Sequence, residues 1–143
     1  MDDIDKKAKV SRQFIAAIPH SRALEMRVDT VHAGKAELSL PYNERFIGDP
    51  ESGTLHGGVV TALLDTAMGT AVVSHPQSMG GTATIDLRID YMRSATKGQR
   101  LRAEAECYRV TRSVAFVRAT AYDESDEPVA AAAGAFTVEG AKP

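Results

Sequence analysis

The stretch His56-Gly57-Gly58-Val59-Val60-Thr61-Ala62-Leu63-Leu64-Asp65 places one carboxylate inside an otherwise apolar run. The run continues to about Ser74. Because it is apolar on most faces of a helix, it predicts a central helix, about Gly57 to Ser74, that other structure surrounds. A carboxylate in such a helix loses water on folding, which is costly unless the group is paired or hydrogen-bonded. Asp65 is therefore the residue whose presence most needs an explanation.

Two explanations of Asp65 are open from the residues alone. Its carboxylate either accepts a hydrogen bond from a neighbour such as Thr61 or pairs with an arginine, and only supports the fold, or it faces a pocket. Glycine inside a helix costs about 0.8–1.0 kcal/mol relative to alanine, which is explained if a ligand must come close. Positions three and four apart share a helix face. The face that carries Asp65 predicts one wall of a pocket, made of Gly58, Thr61, Ala62, Asp65 and Gly69.

The start of this helix favours an anion. At His56-Gly57-Gly58 the free N–H groups and the positive end of the helix dipole would stabilise negative charge. An oxyanion-binding terminus and a carboxylate are the two halves of an acyl-transfer site. Gly57 is about 12 Å from Asp65 along the helix axis, so one chain cannot bring its own halves together. Two antiparallel copies related by a twofold axis would do so, which predicts an obligate homodimer with shared sites.

The rest of the chain predicts an α+β fold in which a curled antiparallel sheet of five to six strands wraps the long central helix. A short N-terminal helix over about Ile4 to Ile18 should end at Pro19. We divide the chain into an N-terminal helical segment, residues 1–20, and one globular domain, residues 21–140. The segment 43–55 predicts an irregular loop. The predicted strands are Leu24–Val31, Lys35–Tyr42, Thr82–Met92, Gln99–Val110, Val114–Tyr122 and Val129–Val138.

Composition excludes several classes of protein. The net charge is -2, from 17 basic and 19 acidic residues, so the chain has no excess of positive charge that would indicate binding to nucleic acid or an anionic membrane. Cys107 is the single cysteine, so no internal disulfide framework and no zinc site is expected, and its apolar strand phase predicts a small core residue. We find neither a signal-peptide pattern nor an apolar run approaching the 18 residues of a membrane span, so we expect a soluble, cytoplasmic protein.

Two stretches carry a resemblance to a known family. Gly53-Thr54-Leu55-His56-Gly57-Gly58-Val59-Val60 with Asp65, followed by Thr84-Ile85-Asp86-Leu87-Arg88-Ile89-Asp90-Tyr91-Met92, resembles the PaaI-like acyl-CoA thioesterases of the hotdog fold. The resemblance spans about Leu24 to Val138. It implies dimers, or tetramers made of two dimers, that cleave acyl-CoA thioesters at the subunit interface. Coenzyme A is then part of the substrate, and neither a separate cofactor nor a metal is expected.

The resemblance also implies catalytic roles. Asp65 matches the family's general base or nucleophile, and Gly57 matches the residue whose N–H polarises the thioester carbonyl. His56 matches the histidine that helps to place the substrate, and Thr84 falls where a hydroxyl orients the attacking water. Relatives often carry an asparagine six residues before the histidine. This chain has a proline there, preceded by Asp49, which becomes a candidate second carboxylate.

Basic residues cluster near the turns that join the long strands. A solvated rim explains them without any function, whereas the resemblance implies contacts with the phosphates of coenzyme A, whose charge suits guanidinium and ammonium groups. The candidates for these contacts are Arg93, Lys97 and Arg112, with Arg100 beside them. The sequence pattern does not choose among them.

Two other functions are compatible with the same fold. A hotdog dehydratase or hydratase would need a D-x-x-x-x-H or HF-x-x-x-P motif, and the sequence has neither. A non-catalytic acyl-CoA-binding protein would not need Asp65. For a thioesterase, the preferred acyl group would depend on pocket depth, which we expect Met68, Val72, Met79 and the N-terminal segment to set.

Overall fold

The central helix, α3, extends from Gly57 to Ser74, the range that the sequence predicts. It belongs to a computed structural model that describes residues 2–139. Leu63, Leu64 and Met68 are fully buried among the surrounding strands. By length and composition α3 is also the one described helix that could cross a membrane, contrary to the expectation from its sequence. Its burial by the sheet accounts for that composition, because the core helix of a globular domain meets the same criteria.

A six-stranded sheet wraps α3, and every neighbouring pair of its strands is antiparallel. The strand order is β1-β2-β6-β7-β8-β5, so β1 and β5 form the two edges. The predicted α+β hotdog architecture is thereby confirmed. The loop 43–55 has more order than predicted, because it contains a two-stranded sheet of β3 and β4. The strands are β1 Arg27–His32, β2 Lys35–Leu40, β3 Ile47–Asp49, β4 Thr54–Leu55, β5 Thr84–Tyr91, β6 Leu101–Val110, β7 Val114–Tyr122 and β8 Pro128–Thr137.

Strand alternation places the core where the sequence predicts it. In β6, Leu101, Ala103, Ala105 and Cys107 are buried toward α3, while the residues between them are more exposed. Cys107 is therefore the small core residue expected from its position. Burial raises the pKa of its thiol to about 11, so the thiol stays protonated at neutral pH.

The N-terminal region forms two helices, α1 from Asp3 to Ala17 and α2 from Pro19 to Ala23. Asp2 caps α1. Pro19 ends α1 as predicted, but it also starts α2, because its fixed φ suits the first position of a helix. The first strand consequently begins at Arg27 rather than Leu24. The division at residue 20 stays a prediction, and its outer ends, Met1 and Gly140, lie outside the described residues.

Strand β5 is an edge strand with an apolar surface. Its outer side has no neighbouring strand among residues 2–139. Ile85, Tyr91 and the following Met92 are each more than half exposed. A register shift between Thr84 and Asp86 accompanies the outward turn of Ile85, which alternation alone would have placed inside. Exposed apolar edges of this kind are templates for pairing with another chain.

Candidate active site

Asp65 is held by a residue of the edge strand. It is half-buried on α3, and its Oδ1 accepts a hydrogen bond of 2.7 Å from the Thr84 hydroxyl. Thr61 is not its partner, because that hydroxyl donates to the carbonyl of Gly57 at 3.1 Å. Within residues 2–139 Asp65 makes no ion pair. Asp65 thus has a hydroxyl partner, as in the purely supporting explanation, but that partner is Thr84 rather than Thr61, and no described residue donates to Oδ2.

Asp65 and Thr84 line a cavity of about 630 Å³ between α1, α3 and the segment that follows α3. Only part of the predicted wall belongs to it: Asp65 and Gly69 line the cavity, whereas Gly58 and Thr61 do not. Met68 and Val72, expected to set pocket depth, are fully buried in the core instead, while Met79 and α1 do line it. The lining residues are Lys6, Lys7, Val10, Ser11, Phe14, Ile15, Ile18, Asp65, Thr66, Gly69, Thr70, Val73, Ser78, Met79, Gly80, Gly81, Thr82, Thr84 and Phe136.

His56 forms the N-cap of α3. Its Nδ1 accepts a hydrogen bond of 2.8 Å from the Gly58 N–H, so a neutral ring carries its proton on Nε2 and can donate it to a ligand. Gly58 permits this contact, because a Cβ there would lie 2.9 Å from Nδ1. Gly48 permits the close approach of β3, because its Cβ would lie 2.7 Å from the Cα of His56. The sequence pattern did not reveal the role of Gly48.

The Gly57 N–H is exposed at the helix start, and none of the described residues accepts a hydrogen bond from it. The carbonyl of Gly57 accepts one at 3.3 Å from the Tyr91 hydroxyl, which also shares a hydrogen bond with Thr61. A Cβ at Gly57 would lie 3.6 Å from the Tyr91 ring, an ordinary contact. Packing within this chain therefore does not require glycine here. The donor and its approach are available to a ligand.

The Asp49 carboxylate is engaged in its own turn. Its Oδ1 accepts a hydrogen bond of 3.0 Å from the Glu51 N–H, and its Oδ2 accepts one of 2.7 Å from the Ser52 hydroxyl. These bonds, that of Ser52 foremost, lower the pKa of Asp49. The described contacts do not bring Asp49 to Asp65, and its catalytic role stays a prediction.

The basic residues differ in whether a carboxylate of this chain pairs with them. Arg93 makes two hydrogen bonds to the fully buried Asp123, of 2.7 and 2.9 Å, and Arg100 pairs with Asp29 at 2.8 Å. The contacts of Arg93 favour a structural role for it. Within the described part of the chain Lys97 makes no ion pair, and its aliphatic carbons lie against Gly53, where a Cβ would be 2.8 Å away. Arg112, in the β6–β7 turn, is also exposed, and it makes no ion pair within residues 2–139.

A second cavity of about 390 Å³ lies beside the helix start. His56 and Gly58 line it together with Arg45, a cation that the sequence pattern did not single out. Arg45 lies in a short 3₁₀ turn, Glu44–Phe46, that the side chain of Asn43 caps. The remaining lining residues are His20, Leu24, Phe46, Ile47 and Val59.

Comparisons with known proteins agree with this arrangement. The sequence profile of the Thioesterase superfamily matches residues 52–130. YigI of Escherichia coli K12, a medium/long-chain acyl-CoA thioesterase, is 28% identical over 142 residues that cover 90% of this chain and 91% of YigI. A Pseudomonas aeruginosa structure with 38% identity and a TM-score of 0.83 covers 93% of this chain and 99% of its own. A mutant structure of the phenylacetic acid degradation protein PaaI from Thermus thermophilus has 27% identity and a TM-score of 0.76, and the match covers 85% of this chain and 100% of the PaaI chain. The chain therefore belongs to the thioesterase superfamily and is a PaaI-like thioesterase of the hotdog fold.

Proposed function

We propose that the substrates are acyl-CoA thioesters, which the enzyme hydrolyses to a free acid and coenzyme A. The observation that carries this proposal is the carboxylate of Asp65, hydrogen-bonded by Thr84 at the edge of a cavity large enough for an acyl group. The name of YigI, an acyl-CoA thioesterase, supports the same substrate class. We place the reaction in the cytoplasm, where a lone thiol such as Cys107 stays reduced.

Asp65 acts in this proposal as the general base. Thr84 fixes one carboxylate oxygen, so the other is free to take a proton from a water molecule. The oxygen of that water bonds to the acyl carbon, the carbonyl oxygen gains negative charge, and the carbon–sulfur bond then breaks with the proton passing to the thiolate. Backbone N–H donors aimed at the developing oxyanion stabilise such a step, and losing one typically costs about 10²–10³ in rate. The Gly57 N–H supplies this donor, with His56 beside it.

The donor and the base come from different subunits. Within one chain Gly57 and Asp65 are about 12 Å apart along α3, too far to act on one carbonyl. The exposed apolar edge at β5 supports pairing with a second copy, because an unprotected edge strand favours association. A twofold dimer gives two equivalent sites, and the tetramer implied by the family resemblance would contain two such dimers. For the phosphates of coenzyme A we propose Lys97 and Arg112.

Co-expression of two inactive chains tests the shared site directly. Asp65→Asn and Gly57→Ala should each abolish thiol release from an acyl-CoA panel while leaving the melting temperature unchanged. A mixed dimer of the two variants contains one site with both groups intact. Random pairing would therefore restore about a quarter of the wild-type activity. Full activity of Asp65→Asn alone would refute the proposed base, and no recovery in a purified mixed dimer would refute the shared site.

Two further measurements separate the remaining alternatives. If Asp65 were a nucleophile, an acyl-enzyme anhydride would form, and hydroxylamine would trap the acyl group in a single turnover. A non-catalytic binding protein would bind acyl-CoA without releasing thiol, and a hydratase would change the acyl chain without releasing coenzyme A. Thr84→Val should lower kcat with little change in KM, whereas Thr84→Ser, which keeps the hydroxyl, should retain most of it.

A further inference from the structure

We infer that α1 and α3 together measure the length of the acyl chain, which lies between them and ends beneath Lys7. This inference rests on the proposed function, because it takes the carbonyl of the thioester to be at Asp65. Asp65 and Lys7 both line the same cavity of about 630 Å³. The apolar residues of α1 that face this cavity include Val10, Phe14 and Ile15.

Three threonines of the cavity wall have no free hydroxyl, which favours an apolar occupant beside them. Thr66 donates its hydroxyl to the carbonyl of Ala62 at 2.7 Å, and Thr70 donates to that of Thr66 at the same distance. The hydroxyl of Thr82 is likewise engaged, at 2.7 Å from the carbonyl of Thr137. The polar atoms of these three lining residues are thus satisfied within the fold. A saturated chain could pass them without losing hydrogen bonds that only water would replace.

Lys7 lines the cavity beside the C-terminal end of α3, at His75, ten residues beyond Asp65. Its Nζ donates to the carbonyl of His75 at 2.7 Å and to that of Ser78 at 2.6 Å, tying α1 to the segment that follows α3. The pKa of His75 is lowered by its burial and, to a smaller extent, by the Lys7 charge. This lowering favours the neutral form of the His75 imidazole. The ammonium group of Lys7 thus joins α1 to the two backbone carbonyls, and we call this pair of hydrogen bonds the latch.

The dimensions of α3 set the expected length. From Asp65 to Val73 is eight residues, about 12 Å along the helix. An extended chain advances about 1.2 Å per bond, since three bonds span about 3.6 Å, so roughly ten carbons reach Val73. The latch acceptor at His75 lies about 3 Å farther along, so the wild-type cavity holds roughly two more carbons. Gly69 lies halfway, about 6 Å from Asp65. A Cβ there would meet Thr82 and Phe136 only at 3.7 and 3.8 Å, so a larger side chain can enter the cavity without disturbing the fold.

Two blocking variants on the same helix test this inference. Gly69→Leu should restrict hydrolysis to acyl groups of roughly five carbons, and Val73→Phe should exclude only those longer than roughly ten. Each excluded methylene should lower kcat/KM about fourfold, the equivalent of about 0.8 kcal/mol of buried surface. Lys7→Met should open the far end and raise activity on longer chains, whereas Lys7→Arg should retain the wild-type profile. Lys9→Leu, on the exposed face of α1, is the matched control.

The first measurement is kcat/KM over saturated acyl-CoAs of 4 to 16 carbons. The second is the thermal shift that each acyl-CoA gives to the Asp65→Asn protein and to the double variants that combine Asp65→Asn with Gly69→Leu or with Val73→Phe. Two different cut-offs, in the predicted order, support the inference. Folded Gly69→Leu and Val73→Phe proteins that keep the wild-type chain-length profile overturn it. If Asp65→Asn hydrolyses thioesters at the wild-type rate, the proposed base fails, and the thermal-shift cut-offs still decide whether α1 and α3 measure the chain.

Discussion

The buried carboxylate of Asp123 offers the sharpest test of how this fold is stabilised. Five donors surround it, all within 3.1 Å: two nitrogens of the Arg93 guanidinium, the N–H and hydroxyl of Thr96, and the N–H of Ser125. Each carboxylate oxygen accepts at least two of these bonds. Asp123→Asn would therefore turn an amide NH₂ toward two or more donors in either orientation, and would leave Arg93 without its counter-ion.

Breaking a buried ion pair by removing one partner typically costs about 3–5 kcal/mol. The Arg93 side chain is 28% exposed, so water can partly solvate its charge after the substitution. We therefore expect a loss near the lower limit, about 3 kcal/mol. Urea unfolding, followed by circular dichroism, measures it. Asp126→Asn is the matched control, because that carboxylate is fully exposed and contacts Arg102 at 3.4 Å, and it should leave the free energy of unfolding unchanged.

The same pair predicts a dependence on pH. The hydrogen bonds from Arg93 are the main cause that holds the pKa of Asp123 well below its usual 3.8. A lowered folded-state pKa stabilises the protein above the usual pKa, and this contribution is lost as pH falls toward the folded-state value. The wild-type advantage over Asp123→Asn should thus be constant above pH 5 and shrink below pH 4. A difference under about 1 kcal/mol, typical of surface pairs, or one independent of pH, would refute the reasoning.

Three smaller predictions concern Gly57, Gly69 and Cys107. Gly57→Ala should fold with an unchanged melting temperature yet lose about 10²–10³ in rate, because its Cβ fits against Tyr91 but obstructs the donor; an active variant would contradict this. Gly69→Ala should raise the free energy of unfolding by about 0.8–1.0 kcal/mol, measured in urea, and a decrease would show that the space beside α3 is needed for folding. Cys107 should not react with a thiol reagent at pH 8 until the protein unfolds, because burial raises its pKa to about 11; rapid labelling of native protein would count against this.

The sequence predicted the parts of the fold that depend on local periodicity. The bounds of α3 and the alternation in β6 follow directly from where apolar residues recur, and the structure agrees with both. Periodicity could not predict the partner of Asp65, because Thr84 is 19 positions away and meets it only after the sheet has wrapped the helix, and only the family resemblance placed Thr84 in the site. The prediction that Met68 and Val72 line the pocket was wrong for the same reason. Both lie on α3, but on the faces turned to the sheet.

Long-range pairing also determines which basic residues form ion pairs within the fold. Arg93 and Arg112 look alike in the sequence, since both follow or precede a long strand. Only the fold shows that Arg93 meets Asp123, a carboxylate 30 positions later that loses all its exposure. The hydrogen bonds of Lys7 could not be predicted either, because their acceptors are the backbone carbonyls of residues 75 and 78. Every residue type has such a carbonyl, so the sequence does not distinguish these positions.

The register shift in β5 determines which side of the strand carries each residue. Thr84 and Tyr91 are seven positions apart, an odd number, so a regular strand would point them to opposite faces. The extra residue at the shift restores their parity, which allows Thr84 to reach Asp65 and Tyr91 to reach Gly57 on one helix. A regular strand in place of the bulge, with every residue kept, would therefore turn Thr84 to the opposite face and remove its hydroxyl from the carboxylate, although every residue with a proposed catalytic role would still be present. Deleting Ile85 together with the bulge would instead leave Thr84 and Tyr91 an even number of positions apart and keep both on one face.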